Sequence, residues 1–250
     1  MRELAGRSAL VTGASSGIGL ATARALAAAG TSLTLAARRA DRLENLATEL
    51  RGAGADVAVR ATDMRREDDV RRVFQVARER FGGVDILVNN AGLGRAAPLG
   101  SAQTDLWREM FEVNVLGLCI ATREAIQDME RRGVAGHIVH VASMAAHRVP
   151  SPDSGFYAGT KFAVRAVTEG LRQELRARKS LIRVTAISPG YVLTEFASVF
   201  SGTPGADAEI DKRVKSLEAR DVADAIVWAV TRPAHVEVHD VLVRPTGQRN

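Results

Sequence analysis

The sequence predicts a single α/β domain, residues 1–250, built on a seven-stranded parallel sheet with helices on both faces. Hydrophobic periodicity alternates between short β-like runs and longer helical runs along the whole chain. Several of the short runs are apolar throughout, as expected for strands that are covered on both faces. No linker, low-complexity stretch, charge block or fixed-period repeat interrupts this alternation, which favours one domain over two.

Seven runs have the length and composition of strands: Ser8–Thr12, Ser32–Ala36, Val57–Ala61, Val84–Val88, Gly136–Val141, Ile182–Ile187 and Val236–Val243. Six stretches have helical periodicity: Gly17–Ala29, Asp41–Arg51, Arg66–Phe81, Thr104–Arg131, Gly155–Arg178 and Asp221–Thr231. Glycines just past three of these helices predict their ends, and Asp41 is expected to cap the start of the second helix.

Two segments, Gly92–Gly100 and Tyr191–Ala219, do not fit the alternation, and both follow predicted strand ends. Ligands of open parallel sheets bind outside the carboxyl ends of the strands, so both segments are expected beside a binding site. The second segment contains three apolar residues without an obvious strand or helix role, Phe196, Val199 and Phe200. We interpret it as a substrate lid over an apolar pocket, with an ordinary packed loop helix as the alternative.

Charge and composition exclude several classes of protein. The net charge of +5 comes from arginines that are spread along predicted helices with acidic residues close by, and aromatic residues make up only 4% of the chain. This pattern indicates solvated helix faces, so no specific nucleic-acid partner is expected. A single cysteine, Cys119, excludes an internal disulfide, and the histidines lack metal-ligand spacing, so no metal is predicted.

Apolar runs such as Ala225–Val230 are too short to cross a membrane, and no apolar leader precedes the first strand. These features predict a cytoplasmic protein without a membrane partner.

A glycine-rich turn, Thr12 to Gly19, joins the first predicted strand to the first predicted helix. Glycines allow a sharp turn and a close backbone approach to a pyrophosphate, and the helix N-terminus offers free N–H groups to the phosphates. The alternative is a tight turn without a ligand. The predicted phosphate-binding residues are Gly13, Ser15, Ser16, Gly17, Ile18 and Gly19.

The end of the second strand predicts the cofactor. Ala37 is followed by Arg38 and Arg39, whereas an NAD site usually has a carboxylate there for the ribose 2′-OH. A guanidinium can bind a 2′-phosphate through paired hydrogen bonds, so NADP(H) is predicted. Past the next two strands, Asp63 is expected to receive the adenine amino group and Asn90, Ala91 and Gly92 to lie beside the ribose, although both could be turn signals.

Tyr157 and Lys161 lie four residues apart on one predicted helix and therefore share a face. A free tyrosine has a pKa near 10. A nearby ammonium, together with the positive nicotinamide of an oxidised cofactor, is expected to lower the pKa of Tyr157 and make it a general acid and base. Ser143 follows the fifth strand and could hold a substrate oxygen. Asn114 lies in an apolar helical stretch, where it could be a structural pin or could hold water beside Lys161.

These motifs, with Pro189-Gly190, resemble the short-chain dehydrogenase/reductase superfamily in order and spacing over the whole chain. The resemblance implies a Rossmann-type domain, hydride transfer at nicotinamide C4, and a catalytic tetrad of Asn114, Ser143, Tyr157 and Lys161. It also implies homodimers or homotetramers that pair through the two long helices. The cofactor-binding set it completes adds Met64, Tyr157, Lys161, Pro189, Gly190, Val192 and Thr194.

Four further stretches, FEVNVL, SMAAHRV, TEGLRQEL and Arg244-Pro245-Thr246, are similar to the branch with dehydrogenase/reductase family member 11 and insect farnesol dehydrogenases. This likeness implies an NADPH-dependent oxidoreductase that interconverts a ketone or aldehyde and an alcohol, with an apolar small-molecule substrate. An alternative from another class is a catalytically idle NADP-binding sensor or scaffold.

Overall fold

A computed structural model describes residues 3–248, so the first two and last two residues of the predicted domain lie outside the described residues. Within that range, strands β1 to β7 span Ser8–Thr12, Ser32–Ala37, Val57–Ala61, Ile86–Asn89, His137–Val141, Arg183–Pro189 and Asp240–Val243. All their pairings are parallel, and the strand order is β3-β2-β1-β4-β5-β6-β7. The predicted seven-stranded parallel sheet is confirmed.

Helices cover both faces of this sheet. In chain order, α1 to α9 span Gly17–Ala28, Ala40–Gly52, Glu67–Phe81, Thr104–Phe111, Leu118–Arg132, Gly155–Ala177, Phe196–Ser201, Ala206–Arg213 and Ala219–Val230. One buried core joins the sheet to α3, α5 and α6, and a second joins its other face to α1, α2 and α9. Because most of the strands are buried on both sides, their apolar composition is explained.

The strand order reverses between β1 and β4, since β2 and β3 extend the sheet to one side and β5 to β7 to the other. The loops at the carboxyl ends of β1 and β4 therefore turn away from each other and leave a crevice. This crevice is where the fold places a ligand.

The predicted helix Thr104–Arg131 is wrong as one continuous α-helix. The chain forms α4, then a π-helical segment at Glu112–Gly117, then α5. At Gly117 a Cβ atom would lie 2.5 Å from the backbone oxygen of Met64, so the helix passes against another backbone there. The side chain of Asn114 also binds the backbone of Leu93, and the wider π turn accommodates both contacts.

The last strand is shorter than predicted, because Val236–Val243 is reduced to Asp240–Val243. Side chains of β6 take the place of ladder hydrogen bonds before Asp240. Arg183 Nη1 donates to Val236 O (2.9 Å), and Thr185 Oγ1 donates to Val238 O (2.6 Å). The sequence before Asp240 has the pattern of a strand, but Val236 and Val238 bond to side chains of β6 rather than to its backbone.

Two smaller expectations also change. Helix α2 begins at Ala40 with Arg39 in the capping position, so the predicted cap Asp41 lies in the first turn, where its charge still favours the helix dipole. The segment Tyr191–Ala219, predicted to be irregular, contains the short helices α7 and α8.

At the amino ends of the strands, buried charges connect β4 to α5. The carboxylate of Asp128, which is fully buried, accepts hydrogen bonds from Val84 N (2.9 Å) and Arg132 Nε (3.0 Å). Arg132 Nη1 also donates to Asp85 Oδ1 at 2.9 Å. This end of the sheet is closed by ion pairs, whereas the carboxyl end is open.

Among the described helices, none is both long and apolar enough to cross a membrane. Within residues 3–248, no group of three or more His, Cys, Asp or Glu side chains could hold a metal ion.

Candidate active site

A cavity of about 650 Å³ lies at the carboxyl ends of the strands, in the crevice between β1 and β4. It extends from the glycine-rich turn at one end to the segment with α7 at the other. Every predicted cofactor-binding residue except Gly19 lines it, and so do three predicted catalytic residues, Ser143, Tyr157 and Lys161. Among the predicted site residues, Gly19 and Asn114 stand outside its lining.

The glycine-rich turn is shaped by the residues that directly follow β4. Gly13 and Gly17 have φ angles of 67° and 53°, which favour glycine. A Cβ atom at Gly13 would lie 2.8 Å from Asn90 Nδ2, and that same amide donates to the backbone oxygen of Thr12 at 2.9 Å. Gly19 serves this packing, because a Cβ atom there would meet the backbone oxygen of Gly13.

The turn leads directly into α1, whose capping residue Ser16 has no side-chain cap. The first N–H groups of α1 therefore remain available to an anion at the head of the cavity. A crevice of this size can hold a dinucleotide, because its glycines allow the phosphates to approach the backbone closely and the first N–H groups of α1 can bind them.

The two arginines after β2 differ in position. Arg39 lies against the glycine-rich turn, since its Nε donates to Ser15 Oγ (3.1 Å) and its Nη2 donates to Ser16 Oγ (2.6 Å). The side chain of Arg38 is 60% exposed, and its only ion-pair contact among the described residues is Glu109 at 4.0 Å. Arg39 is therefore the guanidinium that the fold brings to the phosphate-binding turn.

Asp63 lines the cavity, but its carboxylate is already paired. Arg65 Nε lies 3.0 Å from both carboxylate oxygens, and the hydrogen bond from the Arg65 side chain lowers the pKa of Asp63. Asn89, beside the predicted ribose residues, points into the core instead, where its Nδ2 donates to Thr122 Oγ1 at 3.0 Å.

Tyr157 lies at the wall of the cavity, in the first turn of α6. Burial raises the pKa of Tyr157 to about 12, and a hydrogen bond with the side chain of Ser143 opposes part of that rise. The Ser143 oxygen also accepts from Ala145 N at 3.0 Å. Ser143 and Tyr157 are thus brought together as the sequence predicts.

Lys161 is buried one turn further along α6. Its Nζ donates to the backbone oxygen of Val141 at 2.9 Å and lies 6.0 Å from the centroid of the Tyr157 ring. Burial lowers the pKa of Lys161 to about 8. In the chain by itself, burial and the hydrogen bond with Ser143 set the pKa of Tyr157, so its lowering by Lys161 together with an oxidised nicotinamide stays a prediction.

Asn114 sits in the π-helical segment and is fully engaged with its neighbours. Its Oδ1 accepts from Leu93 N (2.9 Å), and its Nδ2 donates to Leu93 O (2.8 Å) and to Thr160 Oγ1 (3.0 Å). These contacts are those of a structural pin between the segment after β4 and α6. A water-holding role beside Lys161 stays a prediction.

Two aromatic rings cover Tyr157 from the segment after β6. Phe196 and Phe200 lie 5.4 Å and 6.1 Å from it, measured between ring centroids. Both rings meet the backbone at Gly94, where a Cβ atom would lie 2.7 Å from Phe196 Cζ and 2.8 Å from Phe200 Cδ2. The pocket beside the phenol is therefore apolar and narrow.

Several residues of the site carry no sequence signal. Asp207 accepts hydrogen bonds from Ala197 N (2.7 Å) and Ser198 N (3.0 Å) and so fixes the start of α7 from α8. Glu195 pairs with Arg39 across a separation of 156 residues. Gly94 stands in a stretch that was expected beside the site, but nothing marks it as the glycine that admits the aromatic rings.

Comparison with known proteins identifies the class that this fold and site define. A family model described as short chain dehydrogenase matches residues 7–203. The chain therefore belongs to the short-chain dehydrogenase family, and it is an oxidoreductase with the Rossmann-type fold of that family.

The chain is 47% identical over 247 residues to dehydrogenase/reductase SDR family member 11 of Bos taurus, which covers 97% of each chain. It is 39% identical over 252 residues to the farnesol dehydrogenase of Aedes aegypti, over the full length of both. Among solved structures, an alcohol dehydrogenase from the archaeon Thermococcus sibiricus, complexed with 5-hydroxy-NADP, matches with a TM-score of 0.85 and 32% identity over 98% of each chain. The predicted superfamily and branch are confirmed.

Proposed function

We propose that this protein is an NADPH-dependent oxidoreductase that interconverts a ketone or aldehyde and an alcohol. The observation that carries the proposal is one cavity with a phosphate-binding turn and Arg39 at one end and the Ser143–Tyr157 pair at the other. The crevice and the glycine-rich turn fit a nicotinamide cofactor, which would supply or accept the hydride when bound. The phenol of Tyr157, paired with Ser143, fits the proton transfer of the same reaction.

The chain's own residues divide the remaining work. Tyr157 donates its proton to the carbonyl oxygen as the alcohol forms, and removes it in the reverse direction. Ser143, within hydrogen-bonding reach of the phenol, holds the same substrate oxygen. Lys161, held by Val141 O, is the buried cation that favours the phenolate, and Asn114 supports the relay by fixing Leu93 and Thr160.

The preference for NADPH rests on the position of Arg39. Its guanidinium is fixed by two serine hydroxyls of the phosphate-binding turn, and no carboxylate follows Ala37 to bind a ribose 2′-OH or repel a phosphate. Similar solved structures carry either NADP or NAD, so the family alone leaves the cofactor open.

The substrate is proposed to be apolar. Leu93, Met144, Phe196 and Phe200 line the same cavity as Tyr157, and one relative is named a farnesol dehydrogenase. The segment Tyr191–Ala219 is proposed to be the lid, because α7 carries the two rings that cover the phenol. We also propose a cytoplasmic homodimer or homotetramer that pairs through the long helices, where Phe111, Leu116 and Phe162 are exposed.

The test is NADPH oxidation, and NADH oxidation in parallel, with a panel of apolar and polar ketones and aldehydes. Turnover separates the enzyme from the alternative, an idle NADP-binding sensor, which would bind cofactor without consuming it. Replacing Tyr157 by Phe should lower turnover at least about a hundredfold, since the proton donor is lost. Cofactor affinity, measured by fluorescence titration, should stay near wild type, and substantial turnover by Y157F would refute the mechanism.

A further inference from the structure

The carboxylate of Glu195 bridges two arginines at the adenosine end of the cavity. Its Oε2 accepts from Arg39 Nη1 at 3.0 Å, and its Oε1 accepts from Arg42 Nη1 at 2.8 Å. Glu195 lines the cavity, and it is the residue immediately before α7. The hydrogen bonds from Arg42 and Arg39 lower the pKa of Glu195, so it is ionised at neutral pH.

Arg39 has little freedom to avoid this contact. Its Nε and Nη2 are directed at Ser15 and Ser16 of the phosphate-binding turn, which leaves Nη1 as the nitrogen that faces Glu195. A guanidinium binds carboxylate and phosphate through the same N–H donors. The group that the proposed function assigns to the 2′-phosphate therefore already holds an anion of the chain itself.

Glu195 is also fixed from its other side. Its backbone oxygen accepts from Val199 N (3.1 Å) in the first turn of α7, and the neighbouring Thr194 packs its Cγ2 atom 3.1 Å from where a Cβ atom at Gly17 would lie. The backbone of Glu195 is thus held by a short helix, and its neighbour packs against the glycine-rich turn, so the half-exposed carboxylate extends toward the two arginines from a fixed backbone position.

We infer that Glu195 is a specificity-determining residue that competes with the cofactor's 2′-phosphate for Arg39. Binding of NADPH brings a second anion to this guanidinium and must displace or repel the carboxylate. NADH has a 2′-OH at that place and leaves the ion pair intact. Glu195 therefore reduces the margin by which the site prefers NADPH. This inference rests on the proposed function, because it takes Arg39 as the ligand of the 2′-phosphate.

The experiment compares the dissociation constants of NADPH and NADH for the full chain and for Glu195→Gln. Glutamine keeps the length of the side chain and removes its charge. NADPH should bind roughly three- to tenfold more tightly to the variant, as expected for the loss of partly exposed ion pairs, while NADH affinity stays unchanged. Unchanged or weaker NADPH binding, or an equal shift for both cofactors, would overturn the inference.

The matched control is Glu130→Gln. Glu130 is also a half-exposed carboxylate paired with an arginine, Arg178, at 3.3 Å, but it lines neither the cavity nor the groove beside the phosphate-binding turn. Its replacement should leave both dissociation constants unchanged. Adenosine 2′,5′-bisphosphate and 5′-AMP differ by the 2′-phosphate and lack the nicotinamide. Titrated in the same way, the bisphosphate should bind more tightly to Glu195→Gln than to wild type, whereas 5′-AMP should bind equally to both.

A third variant, Arg39→Gln, keeps the inference separate from the proposed cofactor preference. If this variant loses no more affinity for NADPH than for NADH, the proposed role of Arg39 fails. If it does lose NADPH selectively but Glu195→Gln gains none, the proposed function stands and the competition by Glu195 is wrong.

Discussion

At the residue scale, burial shifts the pKa values of two side chains of α6, Tyr157 and Lys161, in opposite directions. Burial raises the pKa of Tyr157 to about 12 and lowers the pKa of Lys161 to about 8, since each side chain is shifted toward its neutral form. The phenol of the chain by itself therefore keeps its proton at neutral pH. This state suits the proton donor that the proposed carbonyl reduction requires.

This protonation state predicts different pH profiles for the two directions. Alcohol oxidation needs the phenolate, whose fraction rises about tenfold per pH unit below the pKa. The rate of oxidation at saturating substrate should therefore increase from about pH 6 to about pH 7.5, where Lys161 is still mostly protonated, while the rate of reduction changes little near neutrality. Initial rates in both directions with one ketone–alcohol pair measure this, and an oxidation rate that falls with pH would contradict it.

Arg38 and Arg39 show what a sequence can and cannot settle at this scale. The absence of a carboxylate after Ala37 can be read directly, and it predicts a basic 2′-phosphate site. Which arginine serves depends on Ser15, Ser16 and Glu195, which are remote in sequence and meet only in the fold. In the same way, spacing alone pairs Tyr157 with Lys161, whereas their pKa shifts depend on burial that no spacing encodes.

At the element scale, the π-helical segment between α4 and α5 is the main departure from the predicted pattern. The apolar residues of Glu112–Gly117 match the period of an α-helix. A π-helical segment of only six residues is too short to show a different period in the sequence. The cause lies outside the segment, in the backbone of Met64 and of Leu93. The shortening of β7 also has its cause in another element. The side chains of Arg183 and Thr185 make the hydrogen bonds that a longer strand would make with the backbone of β6.

The close approach at Gly117 predicts a specific loss of stability. In Gly117→Ala the added methyl group would meet the Met64 oxygen at 2.5 Å, and a backbone atom cannot move aside cheaply. The free energy of unfolding, measured with urea, should fall by about 1–3 kcal/mol.

The control for this substitution is another helical glycine. Gly170, in α6, is exposed, and no atom lies within 4 Å of the position that an added methyl group would take there. Gly170→Ala should raise the free energy of unfolding by about 0.5–1 kcal/mol through helix propensity. Equal effects of the two substitutions would show that the contact with Met64 is unimportant.

At the scale of the whole molecule, two histidines of strand β5, inside the sheet between β4 and β6, are buried on opposite faces of the sheet. His137 lies 2.8 Å from Thr185 Oγ1, and His140 lies 2.8 Å from Thr168 Oγ1. Burial, with smaller contributions from nearby cations, lowers the pKa of each to about 3. Both rings are therefore neutral in the folded protein at pH values where an unfolded histidine is protonated.

This difference predicts acid sensitivity of the fold. Between about pH 6.5 and about pH 3 the unfolded chain binds more protons than the folded chain, so stability falls as the pH falls. Each histidine contributes a slope of up to about 1.4 kcal/mol per pH unit. Unfolding by urea at several pH values in this window should give a shallower slope for His140→Asn than for wild type, whatever its stability at pH 7.

The exposed His235 provides the control, since His235→Gln should leave the slope unchanged. A slope for His140→Asn that matches wild type would mean that His140 is not held neutral by the fold.

The meeting of Phe196 and Phe200 at Gly94 has a consequence for how this lineage of proteins diversifies. The width of the chamber beside the phenol is limited by a backbone position that takes no part in proton transfer. A single added carbon there would displace two phenyl groups and would also crowd the proton donor, because the Cδ2 atom of Tyr157 would lie 3.2 Å away. A mutation that changes the width of the chamber at this position would therefore also act on reactivity, so the two properties are coupled there.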